Sequence, residues 1–196
     1  MKYKELLSKV QKELNLDGAK ERREALITSM HKNEQSGLDC LKCSGRCCTY
    51  SANSMNMTNL EALEALVFLE ENNLINEDLI ERLEKCVEDF RLDQFFQTGR
   101  STFFRKTYTC PFFNFPSWGC GLGSKNKPYG CLAFNPREAN QTNGGNCSAD
   151  LNIQIKRLET YEDLEIKASL SIAEALKIPE DKASIPYKLL EFLKAK

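Results

Sequence analysis

Eight of the nine cysteines in this chain fall in two short stretches, and thiols so grouped can ligate metal, carry redox chemistry or bridge as disulfides. The first stretch reads CLKCSGRCC and holds Cys40, Cys43, Cys47 and Cys48; the second holds Cys110, Cys120, Cys131 and Cys147. Cys40 and Cys43 have the C-x2-C spacing of a metal knuckle, in which both sulfurs turn toward one ion, about 2.3 Å away for zinc. Cys47 and Cys48 are adjacent. Consecutive side chains on an extended backbone point to opposite sides, so this pair is expected to serve different metal positions or to leave one thiol spare. Ser44 and Gly45 give the backbone freedom to fold round a cluster and offer N–H groups to sulfur. The lone histidine, His31, excludes histidine-rich zinc sites, facial triads and paired histidine bases. A thiolate-only set suits an iron–sulfur cluster or structural zinc. Eight thiols can supply two four-thiolate sites, or one cluster with thiols to spare.

The elements that must position these thiols are helical. Residues 3–35 read as helix through Leu6, Leu7, Val10 and Leu14, with Gly18 a point of interruption and Gly37 a stop. Thr58 and Glu61 form a capping box that opens a helix to about Asn73. Asn76 caps another to about Thr98, with Leu79, Leu83, Val87 and Phe90 inward. The two cysteine stretches flank this helical hairpin, which can bring them together at one end. Between Gly99 and Cys147 four of the six prolines and the only tryptophan, Trp118, accompany many aromatics. No long helix survives there; short strand pieces fit Thr102–Tyr108, and a stretch this long needs a bound group to order it. Helix returns over 148–177 through Leu151, Ile155, Leu158, Leu164, Leu170 and Ile172. Pro179 stops it, and a last short helix follows Pro186. The expectation is a mainly α fold in one domain, 1–196: an N-terminal helix 3–35, an irregular metal-binding segment within 38–147, and C-terminal helices 148–195.

Composition sets the outer bounds. Lys plus Arg is 27 and Asp plus Glu is 28, a net charge of −1 over 196 residues, without the cationic surplus of non-specific nucleic-acid binding. No apolar run approaches the roughly 20 residues of a membrane span. The start, Met1–Leu16, is charged and amphipathic rather than an uninterrupted apolar signal, which leads to an expected cytoplasmic location. Thiols stay reduced there, so nine of them read as ligands or redox groups before disulfides.

CLKCSGRCC, followed by CPFF, then Cys120, then KPYGCLAF, resembles the YkgJ-type cysteine-cluster proteins, described as having a zinc- or iron-chelating domain. Cys40, Cys43, Cys47 and Cys48 match the family's first block, and Cys110, Pro111 and Phe112 the second. Cys120, Leu122, Pro128, Cys131 and Phe134 match the third, and Cys147 the last, so the likeness runs from about Leu38 to Cys147. The chain departs from the pattern at Lys127 and Leu132, where arginine is usual, and at Gly123, where tyrosine is usual. Lysine lacks the planar fork with which arginine grips an anion. The resemblance implies metal binding at all eight thiols. Similar cysteine blocks accompany flagellin lysine methylases, a distant analogy that implies group-transfer chemistry at an iron–sulfur cluster.

Other residues read more plainly. Cys86 shares a helix face with Leu79, Leu83 and Phe90 and reads as a small buried hydrophobe. His31 reads as a solvated helix end. Lys125, Lys127 and Arg137 are candidates to hold an anion near the cluster. Lys20, Glu21, Arg22, Arg23 and Glu24 read as an exposed charged face. Trp118 reads as core packing. No phosphate-binding loop, nucleophile elbow or HExxH helix is present. The leading expectation is thus a cysteine-cluster metal-binding protein, iron–sulfur or zinc, with iron favoured by the water-excluding aromatics around Cys110. Two alternatives stand beside it: an iron–sulfur enzyme for electron or group transfer, and an interaction module with structural zinc whose protein partner docks on the N-terminal helix.

Overall fold

The computed structural model describes residues 2–37, 45–94, 97–98, 102–103, 106–115, 119–136 and 147–195. The fold is mainly α-helical. Helix α1 (Lys2–Leu14) turns Tyr3, Leu7 and Val10 inward at helical spacing. The helix expected over 3–35 is in fact two. Asn15 takes a positive φ of 50°, the Leu16 amide bonds back to Gln11, and α2 (Ala19–Gln35) starts afresh from an extended Gly18. Asparagine tolerates this left-handed conformation, so the chain breaks ahead of the glycine rather than at it.

Helix α3 (Asn59–Glu71) opens on the expected capping box, with Thr58 and Glu61 each satisfying the other's backbone amide. It is buried almost all round, as a central helix must be. Helix α4 (Glu77–Asp89) is capped by Asn76, but it ends well short of Thr98. Arg91 enters the left-handed region at φ 49°, and the Leu92 amide closes onto Val87, so the terminal carbonyls are used and the chain turns away. A small hairpin follows, β2 (Gln97–Thr98) with β3 (Thr102–Phe103), at the front of the stretch expected to hold strand pieces. Two short helices come next, α5 (Gly123–Asn126) and α6 (Tyr129–Ala133). Strand β4 (Phe134–Pro136) then pairs antiparallel with β5 (Cys147–Ala149). Helix α7 (Leu151–Leu176) is capped by Asp150 and stopped by a left-handed Lys177 ahead of Pro179. Strand β6 (Ala183–Ser184) pairs with β1 (Asn56–Met57), and α8 (Ile185–Lys194) carries Pro186 in its first turn.

The hairpin expected from α3 and α4 is opened by α8, which packs against both. Helix α1 lies on α3 and α7, and α2 joins α5, α6 and α7. One apolar cluster gathers side chains from α1, α3, α4, α7 and α8, and a smaller one joins Leu26 and Met30 of α2 to Leu132 and Ala133 of α6. Helix α7 keeps Leu164 and Ile172 of its expected apolar set on the core but turns others out. Leu151, Ile155, Leu158, Ile166 and Leu170 are exposed, whereas Arg157 and Glu165 are buried with Ala168 and Ile172. The apolar side of α1 is spent inside the core. No helix among the described residues is long and apolar enough to cross a membrane.

A candidate thiol-lined metal centre

The irregular stretches come together because the backbone ties them. The Cys110 amide donates to the Cys48 carbonyl (2.8 Å) and the Tyr108 amide to the Asn53 carbonyl (3.0 Å), laying 108–110 alongside 48–53. The buried Tyr108 hydroxyl donates to the Met55 carbonyl (2.6 Å) and accepts from the Ile185 amide (3.1 Å), which fixes this wall to the start of α8. Phe113 and Cys120 form an isolated antiparallel bridge, closed by Asn114 to Gly119 and Gly121 to Phe112. Helix α6 adds Cys131, and the β4–β5 ladder sets Cys147 opposite Pro136. Arg82 of α4 holds the Pro111 carbonyl (2.7 Å) and lies over the Phe115 ring, pinning the turn that follows Cys110.

These ties enclose a mainly apolar cavity of about 160 Å³. Cys47, Cys48, Cys110, Cys120, Cys131 and Cys147 all line it, with Met55, Phe113, Leu122 and Phe134 among the apolar walls. Lys127 is the single cationic side chain among the described lining residues, which include no carboxylate and no histidine. Cys40, Cys43, Trp118 and Arg137 lie outside the described residues. Lys125 is exposed and does not line the cavity, and His31 is exposed, as expected. Cys86 is buried, 8% exposed, its thiol donating to the Thr109 carbonyl (3.3 Å) behind the wall rather than in it.

Cys47 and Cys48 correct the sequence expectation. Their backbone is a 3-10 turn (Arg46–Cys48), not an extended strand, and their sulfurs stand 3.9 Å apart on the same cavity. Two thiolates of one tetrahedral zinc are separated by about 3.8 Å, as the bond length of about 2.3 Å requires. Gly45, buried and at φ 72°, precedes the turn, and only a residue without a side chain fits there beside Phe113. Gly123 sits at φ 64°, and Leu132 is fully buried in the α2–α6 contact.

Cys47, Cys110 and Cys131 lie in an environment that favours their neutral form. Burial foremost, and then the charge of neighbouring Cys120, pushes Cys110 up to about 12. Burial, then Cys110 and Cys120, also raises Cys131, while Lys127 acts in the opposite sense. Hydrogen bonding to Cys48, then burial, raises Cys47. Thiols held this way need a cation to ionise together, because a metal supplies the charge that water is excluded from supplying. Among the described residues, no three His, Cys, Asp or Glu side chains are grouped so as to hold a metal ion. No family model, curated protein or solved structure matches the chain.

Behind the cavity lies a group that sequence reasoning missed. Arg22 and Arg23, read as an exposed face, are 2% and 0% exposed. Both pair with Glu64 of α3, and Arg22 also meets Glu165 of α7 (2.6 Å), which in turn pairs with Arg157. Glu61 adds a third acid: its carboxylate caps α3 and accepts the Tyr129 amide (2.9 Å). Lys-Glu-Arg-Arg-Glu on a helix of unmarked amphipathicity gave no sign of which charges turn inward; the partners come from helices far along the chain. Burial alone would raise the Glu165 carboxyl, yet Arg157, the Tyr129 hydroxyl and Arg22 hold it below its usual range. Its unfolded-state value is about 4.3, so the stability it contributes is complete above that pH and is lost as pH falls through the lower folded value. Urea midpoints of the native chain and Glu165→Gln should therefore differ clearly at pH 7 and converge toward pH 3. A gap that stays constant over this range would show that the charge of Glu165 contributes nothing.

Proposed function

We propose that this chain is a metal-binding protein whose thiolate centre forms in the cavity. Cys47, Cys48, Cys110, Cys120, Cys131 and Cys147 are the ligands from the described walls, and Cys40 and Cys43, just ahead of them in sequence, complete the set. The observation that carries this reading is the convergence of six thiols, from separate stretches between Gly45 and Ala149, on one mainly apolar space. Since they share one space, we assign them to one shared centre rather than two separate four-thiolate sites. The likeness to YkgJ-type proteins agrees. The metal is iron, as an iron–sulfur cluster, ahead of zinc, because Phe113, Leu122, Phe134 and Ile185 shield the thiols from water. An iron–sulfur cluster supplies one-electron chemistry when bound, whereas zinc supplies a structural cross-link. The balanced charge fits a protein that works in the reducing cytoplasm without nucleic acid.

Purification without oxygen, followed by iron, zinc and acid-labile sulfide per chain, tests this. Iron near four atoms, with sulfide, supports a cubane cluster and opens the redox reading. Zinc alone turns the reading toward an interaction module. A metal–metal vector under about 4 Å in X-ray absorption would accord with a shared centre. Cys47→Ser and Cys131→Ser should lower the metal load, while Cys86→Ser retains it. A chain that holds neither metal, as purified or after anaerobic reconstitution, overturns the proposal.

A further inference from the structure

The segment Lys127–Cys131 has two sides. On one, Lys127, Pro128 and Cys131 line the thiol cavity. On the other, the Lys127 carbonyl and both the amide and the hydroxyl of Tyr129 are held by the buried charge cluster. Arg23 Nε donates to the Lys127 carbonyl (3.1 Å), and the Tyr129 amide donates to Glu61 (2.9 Å). The Tyr129 hydroxyl accepts from Arg22 Nη1 (2.5 Å) and donates to Glu165 Oε1 (2.6 Å). Two guanidinium groups lie over its ring, Arg157 at 3.1 Å and Arg23 at 4.4 Å from the centroid.

Helix α6 has five residues, far below the length at which a helix holds itself together in water. Its place must come from what it touches. Tyr129 and Cys131 are two residues apart, about 200° round the helix, so a phenol directed at the charge cluster directs the thiol away from it, into the cavity. We infer that Tyr129 is a positioning residue for the Cys131 thiol, and that the Arg22, Arg23, Arg157 and Glu165 cluster is its anchor. The orientation of Cys131 does not depend on the metal reading; the effect on metal affinity rests on it. Groups that orient a ligand from behind typically change metal affinity by about 10–100-fold when removed.

Tyr129→Leu removes both the hydroxyl and the ring, and Tyr129→Phe keeps the ring beneath the guanidinium groups. Leu7→Ala, a truncation in the α1 face, serves as a comparably destabilised control remote from α6. Two readouts are taken: labelling of reduced, metal-free protein by N-ethylmaleimide, resolved to each thiol by peptide mass spectrometry, and zinc affinity by chelator competition. Tyr129→Leu should raise Cys131 labelling at least tenfold relative to Cys120 and weaken zinc binding by about 10–100-fold. Tyr129→Phe should stay within a few-fold of the native chain, and Leu7→Ala should change both thiols alike. If Tyr129→Leu does not fold, Arg157→Met, which lifts one guanidinium off the ring, should give the same selectivity. Equal labelling of Cys131 and Cys120 in the folded variant, or the same selectivity in Leu7→Ala, overturns the inference. Should the native chain take up neither zinc nor iron, the metal reading falls while the labelling ratio still decides the role of Tyr129.

Discussion

Glu64→Gln is expected to lower the free energy of unfolding by about 3–5 kcal/mol, the usual loss when one partner of a buried ion pair is removed. Glu64 faces Arg22 and Arg23, and all three side chains are shut off from solvent. The amide preserves volume but brings no countercharge, so two guanidinium groups remain buried with Glu165 and the Glu61 carboxylate as their nearest compensation. Against a typical total of about 5–15 kcal/mol, such a loss is a large fraction of the whole. Urea unfolding followed by far-ultraviolet circular dichroism measures it. A loss below about 1 kcal/mol would mean that the cluster rearranges or admits water and does not act as a closed unit. The same argument separates breaking the cluster from replacing it. A set of well-packed apolar side chains in place of all its members need not be less stable, because the ions themselves are costly to bury.

The second large effect is expected from Gly45→Ala, a change of one methyl group. The substitution meets two penalties. A left-handed φ of 72° costs an L-residue about 1–2 kcal/mol, and the added carbon would land within the Phe113 ring, an overpacking worth about 1–3 kcal/mol. Phe113 lines the cavity and its backbone bridges to Cys120, so a shift of the whole residue bears on a thiol-bearing segment. Thermal melts should show a loss of about 3 kcal/mol, and the proposed centre, where present, should lose metal in parallel. Full metal content at native stability would show that the 3-10 turn after Gly45 is free to shift.

The residues differ sharply in how much they disclose alone. Thr58, Glu61 and Asn76 mark their helix starts because a cap is a local matter, decided within four residues. Cys86 could be placed from its helix face, and six of the eight proposed ligands do meet at one cavity. The failures come where tertiary partners decide. Leu151, Ile155 and Leu158 marked the helix by their spacing but lie exposed, and the neighbouring Arg157 takes the inward position, where it meets Glu165 and the Tyr129 ring. Arg22 and Arg23 were misread for the same reason. The adjacent thiols Cys47 and Cys48 were placed on an extended backbone, and a single 3-10 turn brought them to one side. The cavity itself could be expected from the cysteines, but not the anchor behind α6.

The packing of α1 against α7, with Tyr3 bonded to the Phe192 carbonyl and Lys2 to that of Ala195, has a consequence for the order of events during synthesis. Helix α1 is made well before α7 and α8, so until they emerge its apolar side has only α3 to cover it. At about 5–20 residues per second that delay is roughly ten to forty seconds. All nine cysteines are translated within it, ahead of α7 and α8. A nascent chain is thus at its most open to oxidants, chaperones and metal donors while the thiols are out and the core is not yet sealed. For the proposed centre, metal loading and closure of the fold would then be competing clocks rather than separate stages.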